Sequence, residues 1–334
     1  MSYARKAISL VFMFLPCLTF SVAMSATTLR MSLPPVYESL PIAFAEEWGL
    51  FDEHGIDVEL FGFTTNYERS LAFAADQLDA VIEDLTQALI EVNSGLNVII
   101  TSAAAICPQT GSSRTALVCS ASLPVDSAQA LFASGFLIGT EYQSNHEYLV
   151  DRLAEAVNFT GSIRYSFFDG TLDLAVFFAA GALAAVMPEP YSTYISTYDP
   201  PSGDPIDIVT LSDFADIEIP PQVVTFHQSY IDENPEVVAA FYEAYAEAVY
   251  RLNATPREEL FETGLDVVFQ LFFQSGDSST IGDDVLDAIP IPVFLAPQTV
   301  SETAFSEVMT WLDEKRYVWT DVAYCDVMED LYLP

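Results

Sequence analysis

Apolar and polar residues alternate along this chain with two distinct periods, and the switches between them lay out its elements. Leu29-Arg-Met-Ser-Leu33 and Ile56-Asp57-Val58-Glu59-Leu60 repeat every second residue, which predicts strands with one covered face. Between them Ile42, Ala45 and Trp48 recur at helical spacing; Ser39 stands at the N-cap position, Pro41 suits a first turn, and Gly49 marks the stop. A loop follows at Phe61 to Asn66, then a helix from about Tyr67 through Ala74-Ala75, and a short strand, Ala80-Val81-Ile82, that closes on Glu83-Asp84. Thr28 to Asp84 therefore reads as one β-α-β-α-β unit. Its loops at Pro34 to Ser39, Gly62 to Asn66 and Glu83-Asp84 leave the carboxyl ends of parallel strands, where open α/β sheets gather ligands. Taken alone, the segment also suits a Rossmann-like enzyme domain.

A second unit echoes the first. Phe73-Ala-Ala-Asp-Gln-Leu-Asp-Ala-Val-Ile-Glu-Asp84 resembles Phe178-Ala-Ala-Gly-Ala-Leu-Ala-Ala-Val-Met-Pro-Glu189, each a helix end, a tight turn, a buried strand and an acidic loop. Before the second copy come a strand and polar loop, Phe136 to Asn145, a helix from His146 that buries Leu149, Leu153, Ala156 and Val157, and a strand from Ser162 to Phe167 ending in Phe168-Asp169-Gly170-Thr171. Pro220 to Phe226 reads as a strand returning to the first lobe. Asn234-Pro235-Glu236 then opens a long helix with Val238, Phe241, Tyr242, Tyr245, Val249 and Leu252 on one face, and Trp311-Leu312 lies on a further helix.

The first residues carry an address. Arg5 and Lys6 precede an apolar run from Ala7 to Val22, with small residues at Ser21, Ala23, Ser25 and Ala26, the pattern of a secretory signal peptide over residues 1–26. Pro16 interrupts the run, which is short for a bilayer span, and Cys17 lacks the small preceding residue of a lipidation site. No later stretch is long and apolar enough to span; Leu174 to Met187 fits a buried helix running into a strand. The mature chain is expected to be periplasmic or otherwise extracytoplasmic.

Charge narrows the partners. The formal charge is −37, and loss of Arg5 and Lys6 takes it to −39. Without a basic patch to replace phosphate counterions, nucleic acid is excluded. Such a surface repels itself at low ionic strength and is relieved in brine, which points to a halophilic source; an acidic surface that merely aids solubility is the alternative. Disorder does not fit 51% apolar and 13% aromatic residues, and about 310 mature residues suit two lobes. His54, His146 and His227 have no helical pairing, so no metal or other cofactor is expected. Cys107 and Cys119 flank a short loop and read either as a disulfide or as two buried thiols.

Taken in order, several segments resemble one family. They are Leu40-Pro41 with Glu46-Glu47-Trp48-Gly49-Leu50-Phe51 and Gly55-Ile56-Asp57-Val58; Gln77-Leu78-Asp79-Ala80; Glu189-Pro190-Tyr191; Asn234-Pro235-Glu236; and the ending Tyr324 to Pro334. The order is similar to that of the nitrate/taurine/thiamine-precursor group of ABC-transporter solute-binding proteins. The resemblance implies the α/β type II periplasmic binding fold: two doubly wound α/β lobes joined by a two-strand hinge, with the ligand cleft between them. Residues 27–118 plus 222–334 would form the first lobe and 119–221 the second. Two departures stand out, Asp76 where the first repeat usually has glycine and Ala184 where the second usually has aspartate.

Carried over by position, the expected ligand contacts are Tyr37, Glu38 and Ser39; Phe63, Thr64 and Asn66; Glu83 and Asp84; Thr140, Tyr142 and Ser144; Asp169 and Thr171; and Glu189 with Tyr191. None of these loops carries Arg or Lys, although Arg69 and Arg114 lie just beyond two of them. Acidic and aromatic loops favour a flat amine-bearing heterocycle, such as a thiamine-precursor pyrimidine, over nitrate or a sulfonate. The implied partners are a small-molecule ligand and the ABC permease and ATPase subunits, with the protein a monomer. The alternatives are a sulfonate or nitrate carrier, a sensory binding module, and a pyrimidine- or menaquinone-pathway enzyme on the same fold. Against an enzyme, the chain has no cysteine cluster for iron, no phosphate loop, and no G-x-S-x-G or G-x-G-x-x-G.

Overall fold

The computed structural model describes residues 27–63, 65–105, 115–179, 184–197, 207–273 and 287–333. The expected leader, Thr64, Cys107 and Arg114 lie outside them. The chain first forms β1 (Thr28–Ser32), α1 (Leu40–Glu47), α2 (Leu50–Glu53), β2 (Asp57–Phe61), α3 (Asn66–Ala74), β3 (Ala80–Asp84), α4 (Leu85–Asn93) and β4 (Val98–Ala103). It then crosses to a second lobe of β5 (Thr115–Ser120), α5 (Ala128–Ser134), β6 (Leu137–Glu141), α6 (Asn145–Ala156), β7 (Arg164–Phe168), α7 (Thr171–Ala179), β8 (Ala184–Pro188), α8 (Tyr191–Thr197) and β9 (Ile208–Ser212). After Pro220-Pro221 it returns as β10 (Gln222–His227), followed by α9 (Gln228–Glu233), α10 (Pro235–Ala254), α11 (Arg257–Phe273), α12 (Glu302–Lys315) and α13 (Tyr324–Val327).

The echo between the halves is a repeat of topology. One sheet runs β2-β1-β3-β10-β4 and the other β7-β6-β8-β5-β9. In each, three strands are parallel, with Met31 opposite Ala80 in the first and Gly139 opposite Ala185 in the second, and an antiparallel strand from across the lobe boundary comes fourth. β5 pairs in register with β8, Thr115 to Pro188, so it lies wholly in the second sheet. The crossing therefore precedes Thr115, where the sequence places it after residue 118. Asp76, in the turn before β3, takes a left-handed φ of 55°, the conformation that makes glycine the easier residue there.

Local chemistry departs from the sequence reading at Ser39. Its backbone is already helical, and its hydroxyl donates to the Pro34 carbonyl at 2.7 Å, closing the turn after β1 instead of capping α1. Ala156 is exposed on α6 rather than buried. Cys119 is a buried free thiol within β5.

α10 supplies much of the first lobe's core. Val238, Phe241, Tyr242, Tyr245, Val249 and Leu252 are all buried, each apolar side chain worth roughly 1.5–3 kcal/mol on removal from water. Tyr242 meets Thr101 Oγ1 at 2.6 Å and Ser102 Oγ at 2.9 Å. Tyr245 accepts from the Ala105 N–H at 2.7 Å and donates to the Glu38 carbonyl at 3.3 Å, so one buried hydroxyl fixes the chain crossing and the loop after β1 together. α12 packs on α4 of the first lobe yet bonds α6 of the second: Trp311 Nε1 donates to Asp151 at 2.9 Å and Lys315 Nζ reaches Glu147 at 2.7 Å.

Candidate functional site

The loops after β1, β3, β6 and β8 meet at the lobe junction, and the space between them holds two cavities that share Val36, His146 and Gln222. The larger, about 400 Å³, is bordered by the carboxylates Glu38, Glu189 and Glu218 with Gln222 and Gln298. The smaller, about 60 Å³, is bordered by Asp84, Glu141, Thr171 and Arg69.

The start of α6 is built to face this space. Ser144 caps the helix, its Oγ accepting from the Glu147 N–H at 3.1 Å and donating to the Glu141 carbonyl at 2.8 Å, which turns Asn145 and His146 into the first turn. His146 Nδ1 lies 3.2 Å from Glu141 Oε2, within ion-pair reach though not aligned as a hydrogen bond. Thr171 donates to the other Glu141 oxygen at 2.6 Å. Burial opposes charge on both members of the pair, but each outweighs that for the other: His146, with Thr171, holds the Glu141 carboxyl below its ordinary pKa, and Glu141, with Asp84 and Glu38, holds the imidazole above its own. Burial pushes Glu38 up to about 7 and also raises Asp84.

The lobes touch directly across the cleft. Asp84 accepts the Asn145 N–H at 2.8 Å and the side-chain amide of Gln222, and the Asn66 N–H donates to the Asp169 carbonyl at 3.1 Å. Asn145 Nδ2 reaches the carbonyls of Pro220 and Pro221 at 3.0 and 3.2 Å. This is a closed arrangement of the two lobes.

Tyr37, Glu38 and Glu189 border the larger cavity, and Phe63, Asn66, Asp84, Tyr142, Ser144 and Thr171 the smaller. The remaining described candidates do not line either. Ser39 serves the turn already described. Glu83, within β3, is 1% exposed, with Glu91 of α4 and Arg69 among its charged neighbours. Thr140 is fully buried in β6, and Tyr191 is buried with its hydroxyl on the Phe272 carbonyl at 2.7 Å. Asp169 reaches the other lobe through its main chain, and its side chain is exposed.

Arg69, Glu141, Asn145, His146 and Gln222 were not among the expected contacts. Arg69, expected just beyond one of the loops, borders the smaller cavity: it follows Asn66 by three residues on α3, which puts both on one helical face, and Arg69 Nη1 donates to Asn66 Oδ1 at 3.0 Å. That spacing is readable in the sequence. The approach of His146 to Glu141 across a capped turn was signalled only by the N-cap at Ser144.

Residues 37–259 match the family model described as NMT1/THI5 like. Among curated proteins none matches the sequence. The fold is similar to that of the periplasmic aliphatic sulphonate-binding protein SsuA from Escherichia coli, at 15% identity and a TM-score of 0.67, over 92% of this chain and 99% of that one. It is similar also to the periplasmic nitrate-binding protein NrtA from Synechocystis PCC 6803, at 12% identity and a TM-score of 0.66, over 92% and 87% of the two chains. The desulfurization enzyme DSZB shares the fold at 13% identity and a TM-score of 0.60, over 91% and 97%. These likenesses establish the fold, and the match over residues 37–259 establishes that the chain belongs to the NMT1/THI5-like family.

Proposed function

We propose that this protein is the extracytoplasmic solute-binding component of an ABC importer, exported by its leader, which closes its two lobes on a small amine-bearing molecule and presents it to a permease. The observation that carries this reading is the 400 Å³ cavity at the lobe junction, bordered by Glu38, Glu189 and Glu218 and reached by a single basic side chain, His146, among its described lining residues. Three carboxylates around a closed space favour a cationic or N–H-rich partner, and a flat heterocycle such as a thiamine-precursor pyrimidine has the required shape and donors. No step of the reading needs a nucleophile or a cofactor, so the protein acts as a carrier and not as an enzyme. The test is native mass spectrometry of the protein purified in high salt, followed by a thermal-shift screen. An amine-bearing heterocycle should co-purify or raise Tm by mass action. Stabilisation by nitrate or an amine-free sulfonate, with none by heterocyclic amines, overturns it.

A second reading, a carrier of a sulfonate or nitrate, rests on one observation: Arg69 borders the smaller cavity.

A further inference from the structure

His146, in the first turn of α6 of the second lobe, lines the larger and the smaller cavity alike. Its own lobe gives it one carboxylate, Glu141 of β6 at 3.2 Å. The first lobe brings two more toward it. Asp84 ends β3 and holds the N–H of the neighbouring Asn145 at 2.8 Å, and Glu38, on the loop after β1, borders the larger cavity. Glu189 and Glu218 border that cavity as well, and Tyr142 and Arg69 the smaller. Arg69 is shared among Glu83, Glu91 and Glu141, so it does not answer the first-lobe acids of the cleft by itself.

Closing the lobes sets Asp84 and Glu38 of one against Glu141 of the other, like charges brought into one closed space. An imidazolium among them offsets that repulsion, and a neutral imidazole does not. We propose that His146 is a proton switch for closure: protonated, it is the counterion that holds the two lobes together, and loss of its proton as pH rises releases them. This rests on the reading of the cleft as one that opens and closes around a solute, and not on which solute it takes. The sign is the same for each group. Burial lowers the pKa of His146, but Glu141, Asp84 and Glu38 together raise it above its ordinary value, and burial raises those of Glu38 and Asp84. Relative to an open, solvated cleft, all three hold protons more tightly when closed. Closure is therefore favoured below the ordinary range of an imidazole and lost as pH climbs through the raised value.

The experiment is small-angle scattering of the ligand-free protein in molar salt from about pH 6 to about pH 9, a range that brackets a raised imidazole. The radius of gyration should rise reversibly across it as the lobes part, and His146→Gln should lose that rise. A rise that persists unchanged in His146→Gln belongs to the carboxylates and overturns the switch, as does a wild-type radius that is constant with pH. If His146→Gln does not fold, as judged by circular dichroism, the imidazoles are titrated by NMR in the wild type and in Asp84→Asn, which keeps an acceptor for the Asn145 N–H and removes the charge. The pKa of His146 should fall by about 1 unit while those of His54 and His227 hold. No fall overturns the switch. The ligand screen separates the two readings: amine binding at a constant radius overturns only the switch, and a working switch with no amine binding overturns only the amine site.

Discussion

Asp84, the last residue of β3 in the first lobe, accepts the backbone N–H of Asn145, the first residue of α6 in the second, at 2.8 Å. Asn145 also grips the carbonyls of Pro220 and Pro221 in the returning chain. Lobe against lobe and lobe against hinge are thus joined at one residue, Asn145, through its backbone N–H and its side chain. Asp84→Ala strands the buried Asn145 N–H, at a cost of about 1–3 kcal/mol, and frees the half-buried Gln222 amide into the cavity it lines. The variant should favour an open form, read as a larger radius of gyration in small-angle scattering of the ligand-free protein. An unchanged radius and unchanged Tm would show that the bridge is incidental.

Glu38 makes stability depend on pH. Burial raises its pKa from an ordinary 4.5 to about 7, so between those values the folded chain holds a proton that the unfolded chain gives up. Its contribution is neutral below 4.5, becomes increasingly destabilising as pH rises through the window, and reaches its full cost above about 7. Glu38→Gln should therefore stabilise the protein by about 1–3 kcal/mol at mildly alkaline pH and by little in acid. Urea melts of both forms across the window measure this; a gain that stays constant with pH would contradict it.

Lys315 is the ammonium that answers a wholly buried carboxylate. Its Nζ lies 2.7 Å from Glu147, whose side chain has no exposure, and 3.0 Å from Asp151. Lys315→Met should cost about 3 kcal/mol, because Glu147 then keeps a buried charge without a cation. The double variant with Glu147→Gln should recover part of the loss, and the cycle in urea should give a coupling energy that survives molar salt. Simple additivity of the two changes would rule the pairing out.

Gly264 lets α11 close on α1. A Cβ at this position would stand 2.2 Å from Cε1 and 2.5 Å from Cζ of Phe44, whose ring is itself buried. Gly264→Ala should lower stability by about 1–3 kcal/mol through overpacking, and pairing it with Phe44→Leu should relieve part of that. Chemical denaturation of the two variants provides the comparison.

Much of the fold was legible because its signals are periodic. Alternation in β1 and β2, the helical face of α10 and the repeated segment before β3 and β8 each depend on spacing within one stretch of chain. The cleft was harder to read for three physical reasons. Successive strand residues face opposite ways, so Glu83 and Asp84 could not both enter the cavity, and spacing alone does not say which one does. The contact at Asp169 is a carbonyl, which any residue would supply. Ser39 had a competing acceptor at Pro34 that only the folded turn brings near. Arg69 was placed just beyond a cleft loop, and its position one helical turn after Asn66, which carries it to the cavity, is written in the chain.

The insertion of β10 between β3 and β4 governs the order of assembly. Residues 115–212 hold all five strands of the second sheet in one continuous stretch, so that lobe is complete as soon as it has been made. The first sheet, although it begins at the amino end, stays split until Gln222–His227 arrives from far down the chain. Loop closure over that separation is slow compared with local pairing. The second lobe should therefore complete first, with β4, whose strand partner is β10, among the last strands to become protected from hydrogen exchange.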